Sequence, residues 1–207
     1  DLATFASAEA QAAAVADDIA YNAHDIDDGL RHGLFDLDAL RSVDFLAGLL
    51  SDIEARHPGL ERSRVIAELG RRVITRFVED VIVEGRRWLT EADPRSVADI
   101  RGAGRQMVAF SAAMSEADRA IKAFLFPHMY RHPKVLRDRE LASEVIAGIF
   151  PKFMADAALM PLEWTRAAEA KGDDDAGRAR VVCDYIAGMT DRYATAQYRL
   201  LFDGSAE

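Results

Sequence analysis

The sequence predicts an all-α protein, a helical bundle of the kind that buries one amphipathic helix against the next. Apolar residues recur at three- and four-residue spacing through most of the chain, and alternating β-type runs are almost absent. The chain is also rich in Ala, Leu, Arg and Glu, residues that lose little on entering a helix. With 207 residues, 50% of them hydrophobic and 29% charged, it can bury a sizeable core, and residues 1–207 are expected to form a single domain.

The first helix is expected from Ala8 to Leu30, with Ser7 as its N-cap and Gly33 near its stop. A second runs from Asp38 to Arg56 and ends at His57-Pro58-Gly59. A third, Ser63 to Ala92, carries Val65, Ile66, Leu69, Val73, Phe77, Val81 and Trp88 at helical spacing and stops at Asp93-Pro94. "RGAGR" (101–105) marks a loop or helix break. Ser115 is expected to cap a helix that passes through Lys122 to Tyr130 and ends before His132-Pro133. Another covers 134–159, where Pro151 should kink or break it. A short helix follows Pro161, "KGDDDAG" (171–177) reads as a surface turn, and the last helix is expected from Arg178 to Phe202. Trp88, Trp164, Phe150 and Phe153 are assigned to the core, and Arg71-Arg72 and Arg86-Arg87 to solvent or subunit contacts.

Charge and composition narrow the function. A net charge of −9 disfavours binding to nucleic acid or an anionic membrane through a basic surface, while leaving room for a local phosphate pocket. No apolar run is long enough to span a bilayer. The single cysteine, Cys183, permits no internal disulfide, so a reducing cytoplasm is the expected setting. The chain opens at Asp1 without a methionine, as a fragment, a processed product or the ordered part of something longer would.

The first helix holds the chemistry. At about 100° per residue, Tyr21, His24 and Asp28 fall within a few tens of degrees of Asp17, with Asp25 beside them. Val15, Ile19, Ile26 and Leu30 lie opposite, and Ala12, Ala13, Ala16, Ala20 and Ala23 fill the space between. A solvated charged face is one explanation, since charge runs usually mark exposed surfaces. Against it, tyrosine and histidine are costly choices for a purely solvating face. Crowded carboxylates also repel unless a cation or basic groups neutralise them. A divalent ion held by oxygen and nitrogen ligands would do so.

His24-Asp25 is the tempting metal pair, but a His-Asp site needs a further histidine upstream. Residues 1–23 contain none. The other histidines are His32, His57, His128 and His132, and Pro127 and Pro133 spoil a helical pairing of the last two. His24-Asp25 is therefore not expected to be the metal pair.

"ADDIAYNAHDIDDGLRHGLF" (16–35) resembles the signature helix of the deoxyguanosine triphosphate triphosphohydrolase-like proteins of the HD-domain superfamily. "KAFLFPHMYRHPKV" (122–135) and "CDYIAGMTDRYA" (183–194) resemble two later motifs, in the family's order. The resemblance implies an HD-domain-like helical fold, of which this chain is the C-terminal portion. It implies cleavage of a dNTP to a deoxynucleoside and tripolyphosphate at a site holding Mn²⁺ or Mg²⁺. By the same resemblance Asp17 matches the final metal ligand, and Tyr21 and Asp25 line the deoxyribose pocket, Asp25 toward the 3′-hydroxyl. Lys122 matches a basic position at the triphosphate, and Tyr130 a tyrosine beside the sugar. His24, Asp28, His132, Asp191 and Arg192 are secondary candidates. For Tyr130 and His132, helix-end capping and local packing stand as an equal alternative, and for Lys122 an ordinary surface position.

The family's upstream histidine and His-Asp pair have no counterpart here, so the isolated chain is expected to be inactive. The resemblance also implies a homo-oligomer. A non-catalytic helical ligand-binding or dimerisation module is the competing class, as is an HD-family remnant kept for regulation or assembly. An isoprenoid-synthase-like enzyme would need paired acid-rich Mg²⁺ motifs, and "DDD" (173–175) has no partner motif.

Overall fold

A computed structural model describes residues 4–202. It is helical, with no strand among the described residues, in accord with the predicted class. Where the sequence predicts a single domain, the helices pack into two compact units, Asp1–His132 and Pro133–Glu207.

The first unit holds α1 (Ala8–Arg31), a 3₁₀ turn (Ala39–Ser42), α2 (Asp44–Arg56), α3 (Arg62–Ala92), α4 (Val97–Arg101), α5 (Ala112–Leu125) and a π-helical turn (Phe126–Tyr130). α3 is the spine: α1 and α2 both pack on it, and α5 packs on α1. The core between them is aliphatic, built from Ile19, Ile26, Leu30, Leu46, Leu50, Ile53, Leu69, Val73, Ile121 and Leu125 around Phe77. Phe77 is fully buried and meets Phe45 and Phe110 edge-on, with ring centroids 5.3 Å and 5.1 Å away. That geometry adds aromatic attraction to the area each ring removes from water.

α1 begins as expected. The Ser7 side chain accepts the Ala10 amide at 3.4 Å, and Gly33, at φ +66°, takes the left-handed turn that releases the chain. In the last turn of the helix, Gly29 admits the Phe35 ring. A Cβ at that position would lie 2.3 Å from it. The N-terminal turn of α1 is also tied laterally: the buried Gln11 side-chain oxygen Oε1 accepts the Met107 and Val108 amides at 2.7 Å and 3.0 Å.

Three boundaries of this unit differ from the prediction. Extended Val43 splits the second helix into a 3₁₀ turn and α2. The residues before "RGAGR" form the short α4, opened by a Ser96–Asp99 capping box. The cap of α5 is Ser111 rather than Ser115: its hydroxyl accepts the Met114 amide, while its own N–H and O–H both donate to Asp80 on α3. A carboxylate 31 residues upstream thus sets where α5 starts.

The second unit holds α6 (Pro133–Ala155), a 3₁₀ turn (Ala157–Leu159), α7 (Leu162–Glu169), α8 (Asp175–Ala187) and α9 (Asp191–Phe202). α6 packs against α8 and α9, and α7 against α8, around Val145, Ile149, Phe153, Met160, Val182 and Tyr185. α6 runs through Pro151 and stops at Ala155, four residues short of the expected end, where Asp156 caps the 3₁₀ turn. The expected last helix is two. α8 ends at Gly188, and the Thr190 hydroxyl accepts the Tyr193 amide to start α9. In the predicted turn, Asp174 caps α8 by accepting the Gly177 amide at 3.0 Å.

Phe153 is core, while Phe150 and Trp164 are half-buried against it. Trp88 is not core. It is half-buried between two guanidinium groups, Arg87 at 3.9 Å and Arg105 at 3.5 Å from its ring, which pins the "RGAGR" loop to α3. Arg71 and Arg72 share Glu68, as salt-bridged neighbours on the surface of α3.

Candidate functional site

α1 presents three stripes. Ile19, Ala23, Ile26 and Leu30 are buried in the core. Asp17, Tyr21, His24 and Asp28 form an exposed stripe, Tyr21 being 57% exposed. Between them, about 90° round from the exposed stripe, Asp18, Asn22 and Asp25 form a polar seam facing α5 and the π turn. Of the alanines expected to admit neighbours, Ala23 is buried and Ala20 half-buried, while Ala12, Ala13 and Ala16 are exposed.

Each seam residue meets a partner about a hundred residues away. The Lys122 ammonium pairs with Asp18 at 3.2 Å and with Asp118 at 3.0 Å. The Asn22 amide donates to the other oxygen of Asp118 at 2.6 Å. One turn further on, the Tyr130 hydroxyl donates to the Asp25 carboxylate. The spacing i, i+4, i+7 on α1 is thus matched by α5 and by a π turn that carries Tyr130 to Asp25. Turns of this type are common at functional sites.

The seam perturbs its acids. Burial pushes Asp25 above the usual carboxylate range and Asp28 adds to this, while the Tyr130 hydrogen bond and His24 act the other way. Burial, and then the hydrogen bond to Asp25, hold the Tyr130 phenol well above its ordinary value. Burial works against the charged form of Lys122, but its hydrogen bonds to Asp118 and Asp18 outweigh it and raise its value. The seam therefore favours the ammonium form of Lys122 and the neutral, donating form of the Tyr130 phenol.

Of the sequence-predicted residues, Asp25 and Tyr130 are brought into direct contact. Lys122 joins the same seam through Asp18, the neighbour of Asp17. Asp17, Tyr21, His24 and Asp28 stand on the adjoining exposed face. His132 closes the π turn, its amide donating to the Met129 carbonyl at 3.0 Å. Asp191 and Arg192 belong to the second unit, where Asp191 opens α9 and lines a groove with Leu141, Val145 and Ile146. Sequence inspection missed Asp18, Asn22 and Asp118. The i,i+4 spacing of Asp118 and Lys122 was the available signal.

Among the described residues no group of three or more His, Cys, Asp or Glu side chains is arranged to hold a metal ion. Asp17 on an exposed helical face does not make such a site alone, so the residues present do not complete the centre that the resemblance implies. No helix among the described residues is long and apolar enough to cross a membrane.

Residues 108–200 match the phosphohydrolase-associated domain, a stretch that includes Asp118, Lys122 and Tyr130 of the seam. The chain is 49% identical over 98% of its length to a deoxyguanosinetriphosphate triphosphohydrolase-like protein of Rhizobium johnstonii. It is 50% identical over 98% to one of Rhizobium etli, and 49% identical over its whole length to one of Azorhizobium caulinodans. It is thus similar over nearly its whole length to deoxyguanosinetriphosphate triphosphohydrolase-like proteins, and it spans about half the length of the curated relatives it matches.

Proposed function

We propose that this chain forms the nucleotide-holding part of a cytoplasmic dNTP triphosphohydrolase, an enzyme that converts a dNTP and water to a deoxynucleoside and tripolyphosphate. The observation that carries this reading is the seam itself: Lys122, Asp25 and Tyr130 gathered beside exposed Asp17 and Tyr21. The Lys122 ammonium would neutralise phosphate oxygens, a preorganised charge where negative charge gathers. The Asp25 carboxylate would accept a hydrogen bond from the sugar 3′-hydroxyl, with Tyr130 fixing its orientation, and the Tyr21 ring would leave no room for a 2′-hydroxyl. Asp17 would be this chain's single ligand to a divalent ion, Mn²⁺ or Mg²⁺, whose remaining ligands lie outside these residues. Apolar Ile74, Val78 and Ile82, exposed at four-residue intervals on α3, support assembly into a homo-oligomer.

The test is a titration of the chain with dGTP, and separately with GTP, followed by backbone amide NMR. The expected result is a set of shifts at residues 17–25 and 122–130, saturating at lower concentration for dGTP. Shifts elsewhere, or none, would remove the nucleotide-binding reading and favour a helical module with a different ligand.

A further inference from the structure

The Lys122 ammonium is held by two carboxylates in different surroundings. The Asp118 side chain is 13% exposed and is tethered through its second oxygen by the Asn22 amide. The Asp18 side chain is 55% exposed, and its polar contact is with Lys122. Asn22 is itself 1% exposed, and its side-chain oxygen Oδ1 has no partner among the described residues. Leaving a buried acceptor unpaired costs stability, and apolar residues of similar size in place of such a polar group are often neutral or better for folding. Stability alone does not account for Asn22 and Asp118. Orientation does: the amide fixes the carboxylate, and the carboxylate fixes the ammonium.

We infer that Asn22 and Asp118 are positioning residues that hold Lys122 ready for a polyphosphate, and that Asp18 is an exchangeable partner that polyphosphate displaces. This rests on the phosphate role proposed above for Lys122. A phosphate oxygen would take the place of the Asp18 carboxylate, the weaker and more solvated arm, while the arm to Asp118 persists. Lys122, its side chain 46% exposed, can meet such a ligand without leaving Asp118.

Charge alone and positioning make opposite predictions for one substitution. Asp118→Asn removes a negative charge from beside an anion site, so charge alone predicts tighter binding. Positioning predicts weaker binding, because the ammonium loses its fixed anchor. The experiment measures inorganic tripolyphosphate binding to the 207-residue chain by calorimetry at low ionic strength, where exposed charges are least screened. The expected results are a loss of about tenfold for Lys122→Met, a loss of about threefold or more for Asp118→Asn, and a gain of about threefold for Asp18→Asn, of the size expected for single charge-assisted contacts.

Equal or tighter binding by Asp118→Asn, or no gain with Asp18→Asn, overturns the positioning inference while Lys122→Met still weakens binding. No binding by the unaltered chain, or none lost in Lys122→Met, overturns the phosphate role of Lys122 itself. Should Asp118→Asn not fold, the unaltered chain still decides the matter through carboxyl-carbon NMR. Tripolyphosphate must then shift Asp18 and leave Asp118 in place, and the reverse pattern refutes the inference.

Discussion

Replacing Tyr130 with phenylalanine keeps the ring and removes one hydroxyl, which isolates the contact between the π turn and α1. That hydroxyl donates to the Asp25 carboxylate, and hydrogen bonds to charged groups contribute about 1.5–3 kcal/mol. Because Asp25 is half-buried, water can partly replace the lost donor, which places the expected loss for Tyr130→Phe near the lower bound, about 1.5 kcal/mol at neutral pH. The Tyr130 bond lowers the Asp25 pKa against the larger effect of burial, so its removal raises that pKa further. In acid, where Asp25 is protonated in both proteins, only a neutral hydrogen bond is lost, and the deficit should shrink to roughly half. Urea unfolding at about pH 7 and about pH 3 measures both deficits, and carboxyl-carbon NMR follows Asp25 directly. Equal deficits at the two pH values, or an Asp25 that titrates lower in the variant, would refute this account of the pair.

Further substitutions test the scaffold. Phe77→Ala empties the centre of the first unit and should cost about 3–5 kcal/mol in urea unfolding. Gly29→Ala places a methyl into the Phe35 ring, and with buried backbone around it the loss should be about 1–3 kcal/mol, read the same way. Glu68 is held at about 2 by its hydrogen bonds to Arg71 and Arg72. Its folded value lies below its unfolded one, so the contribution is complete above the ordinary carboxylate range and is lost as pH falls toward about 2. Arg71 is exposed and Glu68 and Arg72 are only half-buried, so solvent screens the cluster. Glu68→Gln should remove less than about 1 kcal/mol at pH 7 and a clearly smaller amount at about pH 2, where Glu68 is half protonated, by unfolding at each pH.

The elements most legible in the sequence were those specified by neighbours along the chain. Ser7 and Gly33 bracket α1 through contacts within one turn, and the Ile19–Ile26–Leu30 stripe declares its buried face by periodicity alone. What stayed hidden depends on residues far apart in sequence. Ser111 caps α5 because Asp80 holds it, and Trp88 leaves the core because Arg105 stacks on it. The Gly188–Thr190 break was missed because an otherwise continuous apolar pattern crosses it. At the site, the family-like motifs marked Asp25, Lys122 and Tyr130, and the structure gathers these on one seam. Asn22 and Asp118 were not marked, because an asparagine in a helix and an aspartate four residues before a lysine both pass for surface residues until burial is known.

The three-stripe division of α1 also bears on which genetic changes the chain can absorb. Substitutions along the exposed stripe leave the helix packing in place, whereas a change of length does not. One residue inserted after Asn22 would rotate everything beyond it by about 100°. Asp25 would turn from the seam toward the core, Ile26 away from it, and Asp28 into the position facing the π turn. Drift in this helix should therefore run through replacements and almost never through insertions or deletions. The loop around Gly172, exposed and outside both flanking helices, carries no such constraint.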